Sequence, residues 1–427
     1  MEYNWKSIKL SEIGKIITGK TPSTKEKENF GGKIPFLTPS DDMDSRYVLK
    51  TIRYLTDVGA NKLSNKIVPK NSICTSCIGS QLGKVTITTE DTVSNQQINT
   101  IIPNKNYNYL FVYYLMLLVG KRLNYISKTS TAVPIINKND FSEMVVEVPN
   151  KDIQNRISVI LDRIDSKIEV NNKVIANLEE QAHAIFKSWF VDFEPFQDGN
   201  FVESELGMIP EGWEVSITGE EFNIEYGKNL PTKNLLEKGY PVYGGNGQIG
   251  FYNKYLYSKP RLLVSCRGAA SGKVGLSKAH SFVTNNSLVF NEKTDEYFYY
   301  YKYLFNNIVF ENYVTGSAQP QLTIKNSTNI KILVPNKNVI CNFNKIIGDN
   351  FKKQNVLDNE NKKLVEIRDA LLPKLMSGEI DVSNIKIKGE EVKNEWNLFR
   401  RWFWKNLYKI YWGLRLPLPP SSRNCKR

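Results

Sequence analysis

Ser76-Cys77-Ile78-Gly79, followed by Gly83-Lys84-Val85, returns much later as Ser265-Cys266-Arg267-Gly268, followed by Gly272-Lys273-Val274. The spacing inside the two stretches is the same, and so is their chemistry: a cysteine after a serine, then two glycines around a short loop that ends in lysine. Working outward, Trp5 stands fourteen residues before Gly19-Lys20, and Trp213 stands fourteen residues before Gly227-Lys228. Each run continues through a Pro/Thr stretch to a lysine, Lys25 or Lys233. Downstream, Val148-Pro149-Asn150-Lys151 returns as Val334-Pro335-Asn336-Lys337. Identity between the copies is otherwise low. A duplicated unit with matched landmarks and different filling implies one job done at two places, with different contents read at each.

The chain of 427 residues is too long for one ordinary domain. Its net charge of +13 points to an acidic partner, nucleic acid before a membrane surface. The charge is uneven, because residues 388–427 hold ten Lys/Arg against three Asp/Glu and so carry +7 of it. The body is only mildly basic. Five cysteines are sparse and odd in number, which fits a reducing, cytoplasmic setting rather than a disulfide framework. No apolar run approaches the ~20 residues that span a bilayer, so no membrane partner is expected.

Short β-type runs broken by Gly, Pro, Asn and Ser fill both copies, at 34–37, 72–77, 84–89 and 144–148, then 262–265, 273–276 and 330–334. Helices are predicted near 109–124 and 296–310. The mixture reads as α/β (α+β), with a first globule over 1–150 and a second over 213–336. Residues 192–212 read as a linker punctuated by Pro and Gly. After each globule the period turns helical, over 151–191 and 337–377. Written as heptads, position a holds Ile157, Ile164, Asn171, Leu178 and Ile185 in the first, and Phe343, Asn350, Leu357, Leu364 and Leu371 in the second. Each carries one Asn at an a position, a device that fixes coiled-coil register. Two ordinary amphipathic helices, each packed on its own globule, are the plain alternative. Their length and matched placement favour pairing with each other.

Several motifs invite chemistry. Gly14 to Thr21 matches the phosphate-loop pattern letter for letter, but β-branched residues fill the loop and Pro22 follows where a helix should start, so it is not an ATP site. Cys74 and Cys77 form a lone pair without a second pair at zinc spacing and read as small buried residues; no metal is expected. Only His183 and His280 are present, which argues against imidazole catalysis. Asp41-Asp42-Met43-Asp44 reads as a solvated turn. The repeated polar groups are the better candidates. They are Lys20, Ser80, Gln81, Lys84, Asn95, Gln96, Gln97, Thr129 and Ser130 in the first copy. In the second they are Lys228, Asn246, Arg267, Lys273, Asn285, Asn286, Ser317 and Gln319. Lys and Arg suit phosphates and guanine, and Asn and Gln suit adenine edges. The competing reading of each is a polar group that caps a turn or a strand end.

Two stretches carry a resemblance: Lys187-Ser-Trp-Phe-Val-Asp-Phe-Glu-Pro-Phe196 with Leu206-Gly-Met-Ile-Pro-Glu-Gly-Trp213, and Leu371-Leu-Pro-Lys-Leu-Met-Ser-Gly-Glu-Ile-Asp381. Over roughly residues 5–387 the chain resembles the DNA-specificity subunit of a type I restriction-modification system. The resemblance implies two target-recognition domains, each reading half of a split site on double-stranded DNA, and two long helices paired as an antiparallel coiled coil that sets the spacing. It also implies docking of methyltransferase subunits, two in number, and of motor-nuclease subunits. S-adenosylmethionine, ATP and magnesium would belong to those partners, and this chain would hold no cofactor. In agreement, the sequence shows no amino-methyltransferase motif, no glycine-rich S-adenosylmethionine loop and no credible ATP loop, so no catalytic residue is expected. The tail departs from the pattern. Residues 388–427 are basic and aromatic and have no counterpart in the first copy; they suit a segment that lies on a membrane or on nucleic acid, or, as the preferred reading, a read-through extension without an evolved role.

Overall fold

The computed structural model describes residues 5–129, 135–316 and 319–383. The tail at 388–427 lies outside them. Two compact units emerge. One takes the chain up to Ser166 together with the stretch that begins at Leu364, and the other takes Lys167–Lys363.

In the first unit, five strands lie in the order Gly14–Thr18, Ile98–Pro103, Ile73–Ser76, Val85–Thr88, Tyr47–Val48. A second sheet orders Arg53–Leu55, Phe30–Leu37, Thr92–Ser94 and Ile67–Val68. The inner strands Ile73–Ser76 and Val85–Thr88 read as continuous apolar and Thr-rich runs because they are buried on both faces. The helix Tyr109–Thr129 packs on those two strands, with Phe111, Val112, Tyr114 and Met116 fully buried. Most predicted strands fall within a residue of the observed ones. The first helix runs further than its apolar stretch suggests.

The second unit repeats the plan with fewer strands. Phe222–Tyr226, Ser287–Glu292, Leu262–Ser265 and Val274–Leu276 form one sheet, and Gly247–Tyr252, Tyr240–Gly244 and Phe282–Val283 the other. Its helix is short, Phe298–Phe305, rather than the longer one predicted over 296–310. Tyr300, Tyr301, Tyr303 and Phe305 bury several of its faces in one turn after another, and Asn307 then closes it by donating to Tyr303 O at 2.8 Å. Residues 192–212 are not a free linker. They hold a hairpin, Phe201–Ser204 with Gly207–Pro210, and Phe193 and Phe196 pack edge-on against Trp213.

The Val-Pro-Asn-Lys repeat has one explanation in both units. The valine ends a strand that pairs with the strand after the opening tryptophan: Lys6 faces Val148 and Glu214 faces Val334. Proline stops the ladder. The asparagine then caps a helix, since Asn150 Oδ1 accepts from the Ile153 amide and Asn336 Oδ1 from the Val339 amide, each at 3.1 Å. The two helices that follow, central Lys151–Phe190 and distal Lys337–Met376, have 40 residues each. Each is about 60 Å long.

They pair antiparallel. In the second unit, Asn171 meets Asn361 while Glu179 meets Gln354, so partner numbers fall on one helix as they rise on the other. Further along, Phe186 and Phe190 pack on Phe343. In the first unit, Arg368 donates to Asp165 at 2.9 Å. Of the predicted seam, Ile157, Ile164, Asn171, Leu178, Phe343 and Leu371 are buried. Ile185, Asn350, Leu357 and Leu364 are only half-buried, and Phe186 takes the core place beside Ile185. The two heptad asparagines do not find each other. Asn171 donates to Asn361 Oδ1 at 2.8 Å and to Glu360 Oε2 at 2.9 Å instead. Which residue faces which across an antiparallel pair is set by register, and a residue's own heptad letter does not determine it.

Candidate nucleic-acid interface

Antiparallel pairing gathers the repeated landmarks at one end of each main sheet. Thr18 faces Asn99, and Ile98 faces Ser76, so the end of Gly14–Thr18, the start of Ile98–Pro103 and the end of Ile73–Ser76 share an edge. The backbone ties them together. The Gly19 amide donates to Ile98 O at 3.1 Å, the Lys20 amide to Ser94 O at 2.8 Å and the Cys77 amide to Gln97 O at 2.8 Å. In the second unit the Gly227 amide donates to Ser287 O at 3.1 Å, the Lys228 amide to Val283 O at 2.9 Å and the Cys266 amide to Asn286 O at 2.9 Å. The two rims are built alike, bond for bond.

This explains the glycines. A Cβ on Gly19 would come within 2.1 Å of Ser94 O, and one on Gly227 within 2.3 Å of Thr284 O. The chain crosses its neighbour too closely for any side chain. The Ser-Cys-x-Gly…Gly-Lys motif is the hairpin loop between the third and fourth strands of that sheet order. It turns through one stretch of 3₁₀ helix, Gly79–Gln81 or Gly268–Ala270, entered by a glycine at φ 68° or 72°.

The candidate side chains divide into three groups. Lys20, Ser80, Gln96, Lys228, Asn246, Arg267, Lys273, Asn286 and Gln319 are exposed on the rims, and Asn285, Gln97, Gln81 and Lys84 are half-buried there. Asn95 does another job. It is buried, its Oδ1 accepts from the Gln97 amide and its Nδ2 donates to Gln97 Oε1, so it shapes the loop from within. The side chain of Thr129, and Ser130 and Ser317 altogether, lie outside the described residues. The repeated lysines meet equivalent neighbours from the loop after the Phe30–Leu37 or Tyr240–Gly244 strand. Lys84 Nζ pairs with Asp44 Oδ2 at 2.6 Å, and Lys273 Nζ donates to Asn246 Oδ1 at 2.6 Å.

Reading residues one by one missed some of these partners. Asp44 belongs to an acidic run that has a turn-building role. Asp41 accepts from the Thr38 and Ile52 amides, and Asp42 from Ser45, whose hydroxyl above all holds the Asp42 carboxyl below its ordinary value. Thr21, which donates to Gln96 Oε1 at 2.8 Å, also belongs to the rim. So do Ser265 and Thr284, whose buried hydroxyls have no hydrogen-bond partner among the described residues behind the Gly244-Gly245 turn. Only the three-dimensional proximity of these loops reveals them.

The other motifs resolve structurally. Gly14–Thr18 is a strand laddered to Ile98–Pro103, so its amides serve the sheet and form no phosphate cradle. Cys74 and Cys77 are free and buried, and burial pushes their thiols up to about 12 and about 11. Among the described residues no group of three or more His, Cys, Asp or Glu could hold a metal, and no helix is long and apolar enough to cross a membrane.

A duplicated α+β reader on a paired helical stem is a class of protein, and comparison with known proteins places the chain within it. The family described as "Type I restriction modification DNA specificity domain" matches residues 2–180 and 210–368. The chain is 30% identical over 418 residues to the type I restriction enzyme MjaIX specificity subunit of Methanocaldococcus jannaschii, covering 90% of this chain and 95% of that one. It is 33% identical over 182 residues to the HindI specificity subunit of Haemophilus influenzae, covering 41% and 39% of the two chains. Its fold is similar to the crystal structure of a type I restriction-modification S subunit from M. genitalium, with a TM-score of 0.55 at 21% identity over 88% of this chain and 96% of that one. The chain belongs to the type I restriction-modification DNA specificity family. It is a specificity subunit and not an enzyme.

Proposed function

We propose that this chain reads a split, asymmetric DNA target and thereby directs adenine methylation and restriction by partner subunits. The observation that carries this is the rim built twice from the same backbone bonds and filled with different side chains. Identical scaffolds with unlike contents suit a target whose halves differ. Lys20 and Lys228 would lie on phosphates, which give affinity and salt dependence without sequence information. Exposed Gln, Asn, Ser and Arg on the loops would meet base edges. The paired helices would serve as spacer between the half-sites.

The chemistry would belong to partners: two methyltransferase subunits docked on this scaffold, carrying S-adenosylmethionine, and motor-nuclease subunits using ATP and magnesium. The test is the adenine methylome of the host with and without the gene. A split motif that loses methylation on deletion supports the reading and yields both half-sites. Unchanged methylation, together with no salt-dependent binding of duplex DNA by the chain and its methyltransferase partner, would leave a protein-binding scaffold.

A further inference from the structure

The residue after the repeated cysteine has the same backbone in both copies and a different side chain. Ile78 lies at φ −149°, ψ 146°, and Arg267 at φ −142°, ψ 142°. The cysteine before each is held from two sides. The Ile136 amide donates to Cys77 O at 2.9 Å, opposite the Cys77–Gln97 bond. In the second copy the Leu322 amide donates to Cys266 O at 3.1 Å, opposite the Cys266–Asn286 bond, and the Gly268 amide donates to Pro320 O at 3.0 Å. Both cysteines are buried. Alternation along an extended chain therefore turns the next side chain outward. The glycine that follows, Gly79 or Gly268, has open space where a Cβ would stand. The turn is accessible to a large approaching surface.

Arg267 is exposed, and among the described residues no hydrogen bond or ion pair holds its guanidinium. Lys273 on the same rim is tied to Asn246. A rigid backbone carrying an uncommitted guanidinium fork fits the paired acceptors N7 and O6 of guanine. Ile78 offers an apolar contact only, and bridges to Ile135 across the loop.

We propose that this position determines specificity: Arg267 reads a guanine in the half-site of the second recognition domain, a readout that the first domain lacks because Ile78 stands there. The inference rests on the DNA-reading function proposed above. The test compares methylomes made by the full chain with its methyltransferase partner, in wild-type form and as Arg267→Ala, Arg267→Lys and Lys228→Ala.

Arg267→Ala is expected to make one guanine position in one half-site degenerate, with discrimination falling about tenfold or more and the other half-site and spacer unchanged. Arg267→Lys keeps a weakened guanine preference. Lys228→Ala keeps the whole motif at lower occupancy. An unchanged motif in Arg267→Ala, or degeneracy spread over both halves, overturns the assignment. If Arg267→Ala yields no methylation, Arg267→Lys decides: a weakened guanine supports the proposal and an unweakened motif sinks it. A wild-type chain that gives no split motif overturns the DNA-reading function and this inference with it.

Discussion

The two recognition units share a rim skeleton and differ in how its charges are held. In the first, Lys84 faces a carboxylate, Asp44; in the second, Lys273 faces an amide, Asn246. The same contrast marks the stem. The first unit joins the helices through an ion pair, Asp165 with Arg368, to which Tyr114 adds a hydrogen bond at 2.8 Å. The second joins them through the buried amide of Asn171, which donates to Asn361 and to Glu360, backed by Asn361 donating to Asn172 at 2.8 Å; the Lys167–Glu360 ion pair there, at 3.3 Å, is part-exposed. Backbone geometry survives duplication because it is enforced by glycines and strand register. Side-chain charge is free to diverge because several pairings satisfy the same skeleton.

The comparison breaks first at the glycines. Gly19→Ala and Gly227→Ala should each cost about 3 kcal/mol or more, since a backbone oxygen must move to admit the methyl group. Gly79→Ala and Gly268→Ala, at positive φ but in open space, should cost only about 1 kcal/mol each. Denaturant midpoints of the four variants measure this. Equal losses at all four would mean that close approach is not what the repeat preserves.

The stem gives the next largest difference. Arg368→Ala strands Asp165, which is 7% exposed, and should cost about 2 kcal/mol once the part of the guanidinium that stays in water is allowed for. Asn171→Ala removes the amide donors to Asn361 and to Glu360, whose part-exposed carboxylate stays hydrated, and should cost about 1 kcal/mol. Chemical unfolding that ranks Asn171→Ala above Arg368→Ala would show that the amide bonds, and not the ion pair, hold the helices more firmly.

On the rims, Lys84→Ala and Lys273→Ala should both weaken DNA binding without changing the preferred sequence. Lys273→Ala should weaken it more, because Lys84 must leave Asp44 before it can meet a phosphate. Salt titrations read this directly, with a slope reduced by about one for a lost phosphate contact. A larger loss for Lys84→Ala would show that Asp44 positions that lysine for DNA rather than competing for it.

The smallest effect concerns pH. Burial pushes the Glu179 carboxyl up, but Lys302 at 2.9 Å, with Gln354 and Tyr303, outweighs it and holds the group below its ordinary value of 4.5. A carboxylate favoured in the folded state stabilises it above that ordinary value, and the contribution is lost as pH falls through the folded one. Thermal melts should therefore drop below pH 4.5, and Glu179→Gln should flatten the drop. Parallel curves for the two proteins would remove Glu179 from the account.

Much of this molecule is written locally. Short apolar and Thr-rich runs broken by Gly, Pro, Asn and Ser marked the strands, the Val-Pro-Asn-Lys repeat marked both helix starts, and the matched Gly-Lys pairs marked the duplication. Each depends on neighbours within a few residues, through φ limits, capping and side-chain period. The long helices were legible for the same reason.

What local pattern could not decide is who meets whom. The chain carries Asn171, Asn350 and Asn361 in its helices, and only the antiparallel register selects Asn361 as partner of Asn171. Asn95 has the composition of a base reader, and only burial against its own loop makes it a structural residue. Asp44 lies forty residues from Lys84, and sheet topology alone brings them to 2.6 Å. The sequence by itself determined the elements, their order and their duplication, because those follow from short-range sterics. The tertiary structure decided which polar groups are spent inside the protein and which, like Arg267, are left exposed, because that depends on contacts between segments far apart in the chain.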